Sequence, residues 1–265
     1  MGELEDWTCE YGGLVMGLPD SALSIVQVDG LLSLPDVRSS DLTLVQRDGL
    51  WAGDDYLGGR SVTLTVEIYG KDLEEFSKVS NALQAAFRTG RGEMPLRFRF
   101  PGVAGGRTAF VGVRPRKRGA PLNLQFAYGV CNVVVELFAT DPVLHADSVR
   151  SVRVTSAPTA PDPVAYFTQW GSVPAKPVVT VTDAKNPVLL DTVTGLKFGV
   201  TYTGSFTVDS VAQKVTTSGG GDITGLVTDG SVWPEFEAGD HRLTLVSENK
   251  DVEAAAVLTW REGWV

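Results

Sequence analysis

Two histidines, His145 and His241, are the first residues to test for catalysis, because imidazole is the commonest general base in enzymes. A nucleophilic triad would need one of them beside a serine and a carboxylate. Neither is accompanied by the Gly-x-Ser-x-Gly segment that presents a serine on a sharp turn. We therefore interpret both histidines as structural or surface residues, and we expect no enzyme activity.

Metal binding requires carboxylates, histidines or cysteines at particular spacings. Asp54 and Asp55 are adjacent, but no further spaced carboxylates follow in the pattern of a calcium loop. Cys9 and Cys131 stand far apart and outside any metal-ligand spacing. We interpret the cysteines as two buried thiols, and a disulfide between them stays open. We expect no metal site.

Phosphate binding is equally poorly supported by the glycine clusters at 102–106 and 218–221. Neither cluster has the lysine and hydroxyl of a phosphate-binding loop, and neither opens a predicted helix. Hairpin turns are the simpler interpretation, so we expect no cofactor.

The densest basic run of the chain is Arg114-Pro115-Arg116-Lys117-Arg118-Gly119. It has three interpretations: a solvated hairpin tip, an electrostatic contact with an acidic neighbouring subunit, or a contact with DNA. The net charge of −9 weakens the third, because duplex binding relies on basic residues that neutralise phosphates. Arg114, Arg116, Lys117 and Arg118 are therefore candidate subunit-interface residues.

Aromatic side chains suggest a different kind of site. Trp170, Trp233 and Trp260 lie in the second half of the chain, where exposed rings could bind a sugar. The competing interpretation is that each ring belongs to the core or its rim.

The composition indicates a soluble protein made in the cytoplasm. Of the 265 residues, 43% are hydrophobic and 21% charged, which is ordinary for globular domains. The first residues are acidic and lack the apolar stretch of a signal peptide. No apolar run approaches the roughly 18 residues that cross a membrane.

Most of the chain alternates apolar and polar residues at period two, which predicts half-buried strands. The stretches 61–69 and 130–138 are clear examples. One segment, over about 71–89, instead has apolar residues three and four positions apart, which predicts a helix. Asp72 and Glu75 fit a capping box at its start, and Gly90 fits the position after its end.

The sequence predicts two domains. A boundary is expected after Asp141, where the last strand of the helix-containing part ends and a proline-rich stretch follows. Residues 1–141 form the first domain. Residues 142–265 contain only strands and turns in this interpretation, so we expect an antiparallel β-sandwich.

The order of several short segments resembles the distal tail proteins of long-tailed phages, especially those that infect actinobacteria. In the first domain, the segments that carry the resemblance are Gly30-Leu31-Leu32, Leu34-Pro35-Asp36-Val37-Arg38-Ser39-Ser40-Asp41, Arg47-Asp48-Gly49, Gly53-Asp54-Asp55-Tyr56-Leu57-Gly58-Gly59-Arg60, Pro95-Leu96-Arg97-Phe98, Pro101-Gly102 and Phe138-Ala139-Thr140-Asp141-Pro142. In the second domain, residues 171–177 and 260–264 are similar to the family, while Ala238-Gly239-Asp240 replaces its usual Pro-Gly-Asn turn.

This resemblance implies a mainly β protein. The first domain would be a tail-tube-like split β-barrel with one flanking α-helix, and the second a galectin-like antiparallel β-sandwich. Six copies would form a homohexameric ring at the virion tail tip, after assembly in the host cytoplasm. The ring would join the tail tube protein to the tail-associated hub protein of the baseplate.

The resemblance also implies that DNA passes through the lumen of the ring without specific binding, and that no membrane is involved. In some members the sandwich anchors receptor-binding proteins. The alternative function is therefore a tail-tip module that binds carbohydrate or anchors such proteins.

A ring built head to tail needs two different complementary surfaces on each subunit. The glycine-rich segment 48–59 is a candidate for one of them, because aromatic residues are common interface anchors. Its candidate contact residues are Leu50, Trp51, Tyr56 and Leu57. The alternative is a hairpin that folds back onto its own barrel.

Overall fold

A computed structural model describes residues 2–90, 92–156, 163–249 and 252–265. The chain divides into two compact units, Met1–Asp147 together with Val265, and Ser148–Trp264. Both units consist mainly of antiparallel strands, which confirms the predicted fold class. Within the described residues, no helix has the length and apolar character needed to cross a membrane.

The first unit contains strands β1 to β12. They are β1 (Thr8–Tyr11), β2 (Leu14–Met16), β3 (Leu23–Asp29), β4 (Val37–Ser39), β5 (Leu42–Thr43), β6 (Leu50–Trp51), β7 (Asp55–Leu57), β8 (Arg60–Tyr69), β9 (Met94–Arg99), β10 (Ala109–Gly119), β11 (Val130–Ala139) and β12 (Leu144–Ala146). The main sheet has the order β2-β1-β9-β10-β11-β8-β3.

Strand β10 joins the two halves of this sheet. Its first part, Ala109 to Val113, pairs with β9, and its second part, from Arg114 onward, pairs with β11. A bulge between Pro115 and Lys117 shifts the register within the second part. Strand β10 therefore pairs with both halves of the sheet, and the bulge bends and twists its second part.

The core of this unit follows the predicted alternation. On β8 and β11 every second side chain is buried, and these are Val62, Leu64, Val66, Ile68, Cys131, Val133, Val135 and Leu137. Cys9 is also buried, and both cysteines are free. Burial raises the pKa of Cys9 to about 12, so this thiol stays protonated at neutral pH.

The predicted helix is α1, Leu73–Ala86, which ends before the expected limit of 89. The Asp72 carboxylate accepts a hydrogen bond from the Glu75 N–H at 2.8 Å, as the capping pattern predicts. Phe76 and Leu83 are buried, whereas Leu73 on the predicted apolar face is 61% exposed.

A second helix, α2 (Leu124–Ala127), was not predicted. Asn123 caps it by accepting a hydrogen bond from the Phe126 N–H at 3.1 Å. Four residues are too few to show helical periodicity, so the expectation of one flanking helix missed it.

The second unit contains strands β13 to β22. They are β13 (Arg150–Thr155), β14 (Ala165–Gln169), β15 (Val178–Lys185), β16 (Val188–Asp191), β17 (Lys197–Gly199), β18 (Thr203–Asp209), β19 (Lys214–Thr217), β20 (Gly239–Val246), β21 (Ala255–Trp260) and β22 (Gly263–Trp264). One sheet has the order β13-β21-β15-β18-β19 and the other β14-β20-β16-β17. Side chains from both sheets form one core, which includes Phe167, Phe206, Phe236, Leu243 and Trp260. This is the arrangement of an antiparallel sandwich.

The units meet in sequence after Asp147, whereas the sequence predicts the boundary after Asp141. Strand β12 accounts for the difference, because Ala146 pairs with Ala109 and His145 with Phe110 on β10. The proline-rich stretch lies partly at 157–162, outside the described residues.

Candidate subunit interface

The longest exposed feature of the first unit is residues 36–57, here called the arm. Two short ladders form it, since β4 pairs with β7 and β5 pairs with β6. Every residue of the arm is exposed except Leu44, which is half-buried. The arm therefore keeps its shape without a core of its own.

Large apolar side chains on the arm lie in solvent. Leu50, Trp51 and Tyr56 are 57%, 61% and 59% exposed, and Leu57 is 37% exposed. In the part of the chain that the structure describes, each of the four stays more than one third exposed. Exposed apolar clusters of this kind mark protein–protein contacts.

Polar contacts hold the two sides of the arm together. The Asp41 carboxylate accepts a hydrogen bond from the Gly53 N–H at 2.8 Å, and the Ser40 hydroxyl accepts one from the Asp54 N–H at 3.0 Å. The bond from Gly53 lowers the pKa of Asp41, with a smaller effect from Ser39. These contacts favour an ordered hairpin over a loose loop.

Arg60 fixes the root of the arm. This side chain is 1% exposed, and its guanidinium donates hydrogen bonds to the carbonyl oxygens of Gly30, Leu31, Ser33 and Pro142 at 2.6–3.1 Å. Burial lowers the pKa of Arg60, yet arginine stays charged at neutral pH. One buried cation thus binds two separate backbone segments, residues 30–33 and Pro142.

The basic run is the second part of β10, and its side chains differ in their contacts. Arg114 is half-buried, while Arg116, Lys117 and Arg118 are exposed. The Arg116 guanidinium lies 5.1 Å from the centre of the Phe138 ring. Lys117 forms a 3.1 Å ion pair with Glu136.

Arg118 lies on the helix side of the sheet, where it donates a hydrogen bond to the Gln84 carbonyl oxygen at 2.9 Å. One guanidinium has five N–H donors, so this bond leaves most of the charged head for another partner.

Sequence reasoning missed a groove between α1 and α2, here called the α1–α2 groove. Its walls include Phe76, Ser80, Gln84 and Phe126, and its volume is about 490 Å³. The rings of Phe76 and Phe126 meet edge to face at 5.0 Å. The sequence feature that could have indicated this groove is the density of apolar residues between β10 and β11, the two strands that flank α2.

The tryptophans considered for sugar binding and His241 lie in different environments of the second unit. Trp260 is 4% exposed and Trp233 is half-buried against Phe198, whereas Trp170 is 61% exposed. His241 is buried between the Asp191 carboxylate at 2.6 Å and the Glu237 carbonyl oxygen at 2.8 Å. This histidine therefore has a structural position.

The side chains considered from the sequence as metal ligands lie in different parts of the first unit. His145 pairs with Asp141 at 3.0 Å near the surface of the first unit. Asp54 and Asp55 lie in the exposed arm. Among the described residues, no three carboxylate, histidine or cysteine side chains are grouped closely enough to hold an ion.

The structure is similar to a solved phage protein over nearly its whole length. Superposition on the Dit protein of phage SPP1, described as a paradigm of the hub adsorption apparatus in phages that infect Gram-positive bacteria, covers 97% of this chain and 99% of that chain. The TM-score is 0.64 and the sequence identity is 14%. The chain has the distal tail protein fold.

Other comparisons with this distal tail fold are weaker. Two chains from the phage p2 baseplate in its activated conformation, with Ca and with Sr, align over 93% and 95% of this chain. Their identities are 9% and 8%, and both TM-scores are 0.44. No protein-family model and no curated protein sequence matches the chain.

Proposed function

We propose that this protein is a structural, non-catalytic component of the tail tip of a long-tailed phage. Six copies form a ring that joins the tail tube to the baseplate hub around the DNA channel. The observation that carries this proposal is the shared fold with the SPP1 Dit protein, at a TM-score of 0.64 over 97% of this chain and 99% of that chain. The ordered sequence segments from Gly30 to Pro142 support it independently.

The exposed arm supports self-assembly. A head-to-tail ring requires one surface that projects and another that receives it, because each copy contacts two neighbours differently. The arm projects apolar side chains that its own unit leaves uncovered. Exposure of such an apolar surface to water is unfavourable, and its burial against a neighbour lowers the free energy.

A polar face of the first unit suits the wall of a channel. On the side of β3, β8 and β11 away from the core lie Asp29, Thr63, Glu67 and Asn132, together with Glu136, whose charge is paired with that of Lys117. Carboxylates repel the phosphates of DNA, so DNA would slide along this face without binding. A density map of the ring in which a basic face lines the channel would contradict this assignment.

The decisive experiment is electron microscopy of the purified protein with Trp51→Ala as the test variant. We expect six-fold rings with a central hole from the wild type. We expect at least a tenfold loss of rings from Trp51→Ala, because central aromatic anchors contribute about 2 kcal/mol or more to an interface. Since Trp51 is exposed, the thermal midpoint should change little.

Tyr166→Ala is the matched control, because it removes another exposed ring, 70% accessible, from the second unit. Rings should survive this change. Rings that persist in Trp51→Ala at wild-type abundance would contradict the role of the arm. A wild-type protein that stays monomeric at every concentration would contradict the ring.

One observation favours the alternative of a carbohydrate-binding sandwich. Trp170 and Tyr166 are exposed in the second unit, and the Arg242 guanidinium lies 5.7 Å from the Tyr166 ring centre. Exposed rings beside hydrogen-bond donors are a common sugar-binding chemistry. Binding of the whole chain to a glycan array, lost in Trp170→Ala or Tyr166→Ala, would support this alternative.

A further inference from the structure

We propose that the α1–α2 groove of one copy receives the arm of the next copy in the ring. This inference rests on the proposed function, and it identifies the two surfaces that meet. The occupant of the groove is a second copy of this chain.

Large exposed side chains, here called the rim, include Leu73, which lines the groove, and residues that stand close in sequence to its other lining residues. Large side chains from the end of β8, the start of α1 and the α2 loop are all more than half exposed. They are Tyr69 (62%), Leu73 (61%), Leu122 (81%), Leu124 (74%) and Tyr128 (75%). A concentration of exposed apolar side chains around a concave surface marks a binding site for another protein surface.

The wall of the groove contains a polar atom without a partner. The Ser80 hydroxyl oxygen is buried and has no hydrogen-bond partner among the described residues. Ser80 lines the groove together with Gln84. Buried hydroxyls are almost always paired in native proteins, so this hydroxyl is an unusual feature of the wall.

The arm has the matching chemistry. Its uncovered apolar side chains are Val37, Leu42, Val45, Leu50, Trp51 and Tyr56. Because these side chains and the rim of the groove are all exposed, the arm does not cover the groove of its own chain. The eleven residues from Asp36 to Gln46 span roughly 33 Å when extended, which is enough to reach a neighbour.

Charge distinguishes the ends of the groove and sets the direction of docking. Between residues 36 and 57 the arm has five aspartates and two arginines, a net charge of −3. Glu74 and Glu75 lie in the first turn of α1, whereas Arg118 lies beside Gln84 near the other end of the helix. The aspartates of the arm should therefore face Arg118, where opposite charges attract.

Cross-linking between two differently tagged populations tests this pairing directly. One population carries Leu50→Cys on the arm, and the other carries Leu124→Cys on the rim; both positions are exposed. The populations are mixed, allowed to assemble and treated with a short bismaleimide. A covalent dimer that contains one chain of each tag can form only between two copies. Its yield therefore measures docking between copies and is not affected by links within one chain.

Two controls set the baseline. In the first, Leu124→Cys is replaced by Val211→Cys, which is 73% exposed in the second unit. In the second, both populations carry only the native cysteines, which are buried. We expect about tenfold more mixed dimer from the arm and rim pair than from either control, because docking raises the local thiol concentration.

The outcomes separate this inference from the proposed function. If rings form and the arm and rim pair gives more mixed dimer than both controls, the pairing is supported. Rings in which that pair cross-links no better than the control with Val211→Cys would overturn the pairing and leave the ring intact. Absence of any oligomer at all concentrations would overturn both.

Discussion

At the scale of single residues, Arg60 has the most demanding position in the first unit. A buried guanidinium is costly unless its donors are bonded. Here four carbonyl oxygens accept from Nε and Nη1, while Nη2 has no partner among the described residues. The same four oxygens would lack a donor if the side chain were apolar. Arg60 therefore determines whether the root of the arm keeps its shape.

We predict that Arg60→Met lowers the free energy of unfolding of the first unit by about 2–4 kcal/mol, because unpaired buried carbonyls cost more than lost bonds. Urea unfolding measures the change. Arg38→Met is the control, since Arg38 is an exposed arginine on the arm and should shift stability by under about 0.5 kcal/mol. Equal midpoints for Arg60→Met and the wild type would refute this role.

At the scale of elements, the bulge in β10 decides where the basic run points. It shifts the register between Pro115 and Lys117, so Lys117 is opposite Glu136 and Arg118 is opposite the buried Val135. Arg118 consequently reaches α1, while Lys117 stays on the other face. The charged residues thus serve different faces of the sheet.

We predict that charge reversal of Arg116 and Arg118 to glutamate weakens ring assembly. The expected loss is at least tenfold in the association constant, because attraction to the aspartates of a neighbour becomes repulsion. Light scattering at low and high salt measures the association constant. High salt should reduce the difference between the wild type and the variant, because it screens the charges. Reversal of Lys117 is the control, since Lys117 already pairs with Glu136. An unchanged oligomer mass would count against the contact.

The elements that sequence predicted well are those with a long regular period. Alternation along β8 and β11 predicted their buried faces, and Asp72 with Glu75 predicted the start of α1. Periodicity reports which face of one element is apolar. It cannot report which two elements meet.

The α1–α2 groove illustrates that limit. Phe76 and Phe126 are fifty residues apart, and their contact depends on how two loops return to the same end of the sheet. Arg60 was missed for a related reason, because its acceptors come from backbone segments around Gly30 and Pro142. The apolar arm residues can be singled out from the sequence, since their side chains stand out in a glycine-rich segment, and their place in an interface stays a prediction.

At the scale of the whole molecule, the two compact units have separate cores. The second unit depends on a buried carboxylate. Burial acts to raise the pKa of Asp191, but hydrogen bonds from His241, Val193, Thr194 and Arg242 together lower it below its ordinary value. A lowered pKa means that the ionised carboxylate stabilises the folded unit.

We predict two calorimetric transitions, with Asp191→Asn lowering one of them at pH 7. The stabilisation by Asp191 is full above the unfolded pKa of about 3.9 and is lost as the pH falls through the lower folded value. Below about pH 4 the wild type should therefore approach the variant. A single transition would contradict this account. So would a difference in transition temperature between the wild type and Asp191→Asn that is the same at pH 3 and pH 7.

The uncovered arm has a consequence for how assembly stops. If arm and groove pair head to tail, any open row of copies leaves one arm and one groove in water, however many copies it contains. When the two ends of the row meet, the free arm covers the free groove and no further copy is needed. This last contact forms within one assembly, so its effective concentration is high. Incomplete rows would then be scarce, and the population would consist mainly of free monomers and finished rings.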